Sequence, residues 1–509
     1  MIISLSVLVI TIIVSGTYAL YKAQLSKNIG VNTTTHGLAY YINYVKGTDI
    51  TAATLNPSTS YESGASSDIE FWKKDDSYDI YGKIDLTVNT IGTNLKNSPA
   101  LKYAVVNNGN VLSTGSLKGT TSGSKVTILK NLYLEQTKQI YTVYVWLDNS
   151  EELGNISNES LSISVDCTAS LQKEPAADTI ISLYTSAAKV TATNNSITYN
   201  TAPSVSLMND RLGGTTTSLD GGNIRYYGAS PNNYIYFNCS DYSNQTSSTC
   251  ETWRIIGVFD GKLKLIRGSQ IGKYSWDNKN ISTGAEDDRG KNDWTTARLM
   301  KLLNPDDYYI NDNNDKDSEG NYLGYSLYYN SASGMCFTDE GVNYSACDFT
   351  STGIKNDETR NMIAETTYNL GGWNDTGVYP NEIYEYERGT TVYTGRPTTW
   401  TGKIALAYPS DYGYAADLNQ CKQTLANYDN STCTSNNWMK AIITDNGSNH
   451  GWLLTPDSSY SFGAWYSHGN VGEYFTGAAR GAVPVLSLSS KLGIESGDGS
   501  SSNPYKLSA

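Results

Sequence analysis

Six of the seven cysteines fall into three close pairs: Cys239 with Cys250, Cys336 with Cys347, and Cys421 with Cys433. The stretches they enclose are polar and full of turn formers, as in "CSDYSNQTSSTC". Zinc sites usually gather ligands about two to five residues apart, and the sequence has no CxxC. Wider spacing of this kind suits a disulfide across the mouth of a loop; six buried thiols are the competing reading. Closing a loop of about 12 residues contributes on the order of 3 kcal/mol through the lost entropy of the unfolded chain. Such bonds persist in oxidising compartments, so the pattern points outside the cytosol. Cys167 is left over, either buried or free.

Other side chains could do chemistry. His450 and His468 could hold a metal with Asp457 or Glu473, although histidines in a polar loop region are more often plain surface residues. Glu385 and Glu387 alternate and would share one face of a strand, as a glycosidase pair of convergent carboxylates requires; a structural role beside Arg388 competes. In "NDNNDKDSEGNY", Asp315, Asp317, Glu319 and Gly320 match the first half of an EF-hand-like loop. Its last ligand position falls on Ser326, which lacks a bidentate carboxylate, so a non-EF calcium loop is the one cofactor candidate. No GxSxG, HExxH or P-loop pattern is present, and the expectation is a protein that binds without catalysis.

For binding, rings matter most, because Tyr and Trp supply large contact area at small entropy cost and stack on sugars. Trp373, Trp465, Tyr412, Tyr414 and Tyr466, with Asp411 and His468 nearby, are expected on display loops. Trp253, Trp294, Trp400 and Trp452 are expected in the core. The 40 tyrosines and 45 glycines, with charged residues at 17%, fit an extracytoplasmic β-rich surface. The net charge of −13 and the lack of a basic run exclude nucleic acid as a partner.

These residues need elements to position them. Residues 1–21 carry no charge before Lys22 and would span about 30 Å as a helix, enough for a bilayer core. They read as a transmembrane anchor, or as a signal helix cleaved after Ala19. Residues 30–170 read as a β-sandwich. "YDIYGKIDLTV" and "IYTVYVWLD" alternate with period two, and Asn107-Asn108-Gly109-Asn110 is a hairpin signal. Residues 171–202 read as a short helix from about Pro175 followed by a linker. Residues 203–509 mix short strands with two helices, one capped by Asp293 and one running from "NDETRNMIAETTYNL" to Gly371-Gly372. Asp260-Gly261 makes a tight turn between two strands. Long loops join these elements, and the cysteine pairs sit in them, bracing a recognition surface.

The leader ending "GTYALYKAQL", with "SDIEFWKKDD" and "YTVYVWLDN…SLSISVDC", resembles the TasA/camelysin family of Gram-positive surface proteins. That resemblance covers about 150 residues and implies a jelly-roll-like sandwich, export, and in some members assembly into matrix fibres. Metalloprotease activity, claimed for some members, does not carry over, because the only nearby histidine is His36. Strand donation by Leu25–Thr35 would drive assembly. "NYIYFN…WRIIGVF", "SWD", "ERG", "RPTTWTGKIALAYPSDYGYA" and the run from His450 resemble a domain of uncharacterised surface proteins in gut Firmicutes. It looks like the C-type-lectin-like fold shared with formylglycine-generating enzymes. No cysteine follows Cys433, so their oxidase activity is not implied. The sequence thus reads as mainly β with an α+β C-terminal domain: an exported, membrane-tethered or secreted surface protein, a C-type-lectin-like head on a β-sandwich stalk. The first expectation is an adhesin contacting a surface glycan or protein. A self-assembling fibre subunit and a secreted hydrolase are the alternatives.

Overall fold

A computed structural model describes residues 23–24, 38–52, 55–154, 156, 159–210, 222–279, 285, 288–338 and 344–508. The hydrophobic leader, the donor segment Leu25–Thr35 and His36 lie outside the described residues. Among the described residues no helix is long and apolar enough to cross a membrane. The protein is mainly β, built from several antiparallel sheets. It divides into two compact units: residues 1–174 with 493–498 and 505–508, and residues 175–492 with 499–504.

Strands of the first unit are β1 (Ala23–Gln24), β2 (Ile42–Val45), β3 (Ile50–Ala52), β4 (Pro57–Ser58), β5 (Ala65–Lys73), β6 (Tyr81–Ile91), β7 (Leu101–Asn107), β8 (Asn110–Ser116), β9 (Lys125–Tyr133), β10 (Ile140–Asp148) and β11 (Leu161–Ser170). One sheet runs β1-β11-β6-β9 with β3 also on β11; the other runs β2-β5-β10-β7-β8 with β4 also on β10. Alternation decides what faces inward. Ile84, Leu86, Val88, Ile163 and Val165 of the first sheet share one apolar core with Ile69, Phe71, Val105, Val143 and Val145 of the second. Asn108 and Gly109 turn β7 into β8 with φ of 49° and 79°, the conformation that hairpin signal demands. Cys167 is free and buried in this core, where burial, then Asp85 and Asp166, push its thiol well up and leave it unreactive.

In the second unit, helix α1 (Ala176–Ser186) precedes β12 (Val190–Asn194), β13 (Ile197–Ala202), β14 (Leu207–Asn209), β15 (Ile224–Tyr226), β16 (Tyr234–Phe237), β17 (Glu251–Phe259), β18 (Lys262–Arg267) and β19 (Lys273–Ser275). The stretch read as a linker is therefore the β12–β13 hairpin, turned by Asn195 and Ser196 at φ of 46° and 62°. Its strands extend a nine-stranded sheet, β12-β13-β14-β15-β17-β18 and onward, with β16 also on β17. Asp260 and Gly261 turn β17 into β18, both at positive φ.

Helices are short. Asp293 caps a 3-10 turn, Trp294–Thr296, and Ala297 in extended conformation separates that turn from α2 (Arg298–Leu303). β20 (Ser333–Phe337) and β21 (Tyr344–Asp348) form a hairpin. The second expected helix is cut back to α3 (Asp357–Met362), because "TTYN" pairs as β22 (Thr366–Asn369) with β23 (Thr399–Gly402). Next come α4 (Pro380–Glu387), β24 (Ile404–Ala405), α5 (Pro409–Tyr414), α6 (Ser431–Ser435) and α7 (Lys440–Ile443). The chain then makes β25 (Gly451–Pro456), β26 (Gly463–Ser467), β27 (Val471–Phe475), β28 (Ala479–Gly481) and β29 (Val485–Ser487). A five-stranded sheet, β19-β28-β25-β26-β27, results, while β29 joins the nine-stranded sheet. The last two strands, β30 (Gly493–Ser496) and β31 (Lys506–Ser508), group with the first unit. There Asn131 of β9, at φ 53°, donates through Nδ2 to the carbonyls of Glu174 and Ile494, each at 3.0 Å.

Candidate functional site

All three expected disulfides are formed: Cys239–Cys250, Cys336–Cys347 and Cys421–Cys433. Three such bonds and a β-rich fold are what an oxidising, extracellular environment supports. Their surroundings differ from the uniform display loops expected. Cys421 and Cys433 are buried in the main core of the second unit beside Leu425, Tyr428 and Trp438. The Cys239–Cys250 loop turns Tyr242 inward, where its hydroxyl meets Thr359 Oγ1 at 3.1 Å. The Cys336–Cys347 bond alone ties a hairpin whose β21 faces solvent.

Of the seven residues expected to bind ligand, four are core. Asp411, Tyr412 and Tyr414 lie on α5, whose every residue is buried, and Trp465 is 0% exposed. The physical reason is charge pairing inside the unit. The Asp411 carboxylate meets Arg225 Nη1 at 2.9 Å and Lys264 Nζ, and accepts the Tyr408 amide, capping its own helix. Those charges hold it below the usual carboxylate range against the opposing effect of burial. Tyr412 donates to the Gly469 carbonyl at 2.6 Å, and Trp465 Nε1 to the Trp373 carbonyl at 3.1 Å. Trp373 itself is half-buried, its ring stacked on Tyr386 at 3.7 Å. Trp253, Trp294, Trp400 and Trp452 are buried, as expected. A signal for Asp411 was present: Arg225 stands between Ile224 and Tyr226 in β15, and a buried cation is stabilised by a buried anion.

The calcium candidates separate as well. Asp315 is buried, its Oδ1 against Arg298 at 2.8 Å and Lys279 at 3.9 Å and its Oδ2 against Lys301 at 2.8 Å, so this carboxylate already serves three cations. Asp317 accepts the amides of Glu319 and Asn321 at 2.9 and 2.8 Å, closing its own turn, and Glu319 points to solvent. Among the described residues no group of three or more His, Cys, Asp or Glu is placed to hold a metal ion. Glu385 and Glu387 lie on helix α4, not on a strand: Glu385 is exposed while Glu387 is buried and binds Ser410.

Tyr466 and His468 keep company that the sequence did not reveal. β25 pairs with β26 so that Trp452 opposes Tyr466, and β26 pairs with β27 so that Tyr466 opposes Gly472. Period two then puts Tyr466, His468 and Tyr474 on one face. A side chain at 472 would place its Cβ 3.0 Å from the Tyr466 ring, so glycine lets that ring lie across the neighbouring strand. His450 stacks on Tyr466 at 5.2 Å and meets the His468 ring at 4.1 Å. The Arg480 guanidinium lies 3.9 Å from the Tyr466 ring centroid and 4.3 Å from that of Tyr474. Arg480 makes no ion pair, and its Nε is buried without an acceptor among the described residues. Burial, then Arg480, His468 and Lys273, hold His450 below its ordinary value, so it stays neutral beside the guanidinium. Tyr474, 42% exposed, and His468 open this array to solvent.

The reverse face carries Trp465 and Glu473, which oppose one another across β26 and β27. The expected metal grouping of His450 and His468 with Glu473 therefore fails, since the strand register sends them to opposite faces. Glu473 instead meets Asp457, and burial first, then this contact, push its carboxyl up to about 8. Asp457 Oδ1 accepts the amides of Ser459 and Tyr460.

No family model matches this chain, and no curated protein matches it. Among solved structures, the receptor binding domain of a botulinum neurotoxin of mosaic serotype C/D aligns over 52% of this chain and 74% of its own, at 11% identity. Its TM-score of 0.15 is too low to indicate a shared fold.

Proposed function

We propose that this is an exported bacterial cell-surface protein that binds a glycan without catalysing a reaction, on the sheet face formed by β25–β28. The carrying observation is the solvent-open array of Tyr466, Tyr474, His450 and His468 around Arg480. Rings held flat by strand pairing offer stacking surface with little ordering cost, and a guanidinium lacking a carboxylate retains donors for sugar hydroxyls or acids. The sequence resemblances supply the setting: a TasA/camelysin-like, jelly-roll-like first unit, a C-type-lectin-like second unit, and tethering to a membrane through the leader. The test is a glycan array probed with the full chain, with and without calcium, beside Tyr474→Ala. Glycan binding that weakens tenfold or more in the variant supports the reading. Binding to protein probes alone, or sugar cleavage in place of retention, overturns it.

A second reading, a self-assembling fibre subunit, is favoured by one feature. β11 has β6 along one edge, but on the other only β3 against Leu161–Ile163 and β1 against Thr168–Ala169. Among the described residues, Ser164–Cys167 thus have no strand partner on that edge, which is what strand exchange uses. A ladder of oligomers on size exclusion, lost on deleting residues 25–35, would decide for it.

A further inference from the structure

A second feature of the same unit is a cleft of about 440 Å³ at one end of β17, bounded by Tyr234, Thr252, Arg254, Ser269 and Ile442. Its volume falls in the range of small-molecule sites and exceeds what a bare ion needs. Arg254 is 7% exposed and in the middle of an apolar strand. Its Nε donates to Asn233 Oδ1 and its Nη2 to the Pro231 carbonyl at 3.3 Å, both neutral acceptors. Nη1 donates to no group among the described residues. The guanidinium lies 3.7 Å from the Tyr234 ring centroid and 4.9 Å from that of Trp438.

Among the described residues Arg254, like Arg480, lacks an anion, and the buried arginines elsewhere in the unit do not. Arg225 has Asp210 and Asp411, Arg298 has Asp315, and Arg267 at the rim of this cleft has both oxygens of Glu251 at 3.1 Å. Glu251 is thereby consumed, and its Oε2 also accepts Trp253 Nε1. Burying a cation without a counter-charge is unfavourable, and a bound anion would offset that cost. Burial holds Arg254 down to about 10, so it remains charged at neutral pH.

We propose that this cleft binds the oxyanion of an acidic sugar, with Arg254 taking the carboxylate or sulfate group. The hydroxyls of Thr252 and Ser269 receive the sugar's polar edge and Ile442 its apolar one. A guanidinium fork matches a planar carboxylate in two hydrogen bonds, which an ammonium cannot do.

The test titrates the full chain by calorimetry with glucuronate, glucose, glucose 6-sulfate and inorganic sulfate. Glucuronate or the sugar sulfate is expected to bind at least tenfold more tightly than glucose, and Arg254→Gln to remove that preference. Should Arg254→Gln fail to fold, Thr252→Val at the cleft's exposed wall is expected to weaken the acidic sugar several-fold. No preference for the acid, or a preference untouched by both variants, overturns the proposal. Inorganic sulfate binding as tightly as the sugar acids overturns its sugar component. Tyr474→Ala leaves this binding unchanged, which separates the cleft from the sheet face.

Discussion

Asp411 holds its charge where no water reaches, between Arg225 and Lys264. Asp411→Ala leaves two buried cations facing one remaining anion, Asp210, and is expected to cost about 3–5 kcal/mol in a denaturant titration. Glu473 gives a pH dependence whose sign is fixed. Its folded carboxyl, up at about 8, holds its proton more tightly than the unfolded one does. The contribution is therefore complete below the ordinary glutamate range and lost as pH rises through about 8. Wild type is expected to lose thermal stability from pH 5 to pH 8 relative to Glu473→Gln; parallel curves would contradict the raised Glu473 carboxyl. At this scale the sequence was partly legible. The cysteine pairs could be matched because local spacing limits partners. Asp411, Tyr412, Tyr414 and Asp315 could not be placed, because "PSDYGY" and "NDNNDKD" look like solvated loop text until their distant cations are known.

Among elements, the three disulfides constrain loops of like length in unlike settings. Replacing Cys336 and Cys347 by serine is expected to cost about 3 kcal/mol in chain entropy, plus a smaller term because only Cys336 of this pair is buried. The same change at Cys421 and Cys433 also places hydroxyls in an apolar core, and is expected to cost more. Paired unfolding curves check this, and equal costs would show that the buried setting contributes nothing. The strands were legible where one face is buried and the other is not, as in β6 and β10, whose alternation gives their register. Reading Glu385 and Glu387 as strand residues failed because a two-residue alternation also occurs within one helical turn. Pro380 at the start of α4 was the stronger local signal. The β12–β13 hairpin was missed for a related reason: polar strand residues such as Thr191 and Thr193 lie on an exposed edge and carry no hydrophobic period.

Across the whole molecule, the division near residue 174 follows from a change in composition, but the return of β30 and β31 to the first unit does not. That return is held by contacts distant in sequence, Asn131 to Ile494, Ser496 to the Leu112 carbonyl and Lys173 to the Ser508 carbonyl, and by no local pattern. Truncation after residue 492 is expected to make residues 38–174 protease-sensitive while 175–492 stay resistant; equal resistance of both would contradict this grouping. The glycan binding we propose belongs to the β25–β28 face. Hydroxyl-radical footprinting of the full chain, with and without the best array ligand, tests it most directly. Protection at Tyr466, His468 and Tyr474 is the expected result; protection confined to the first unit, or none at these three residues, would contradict it.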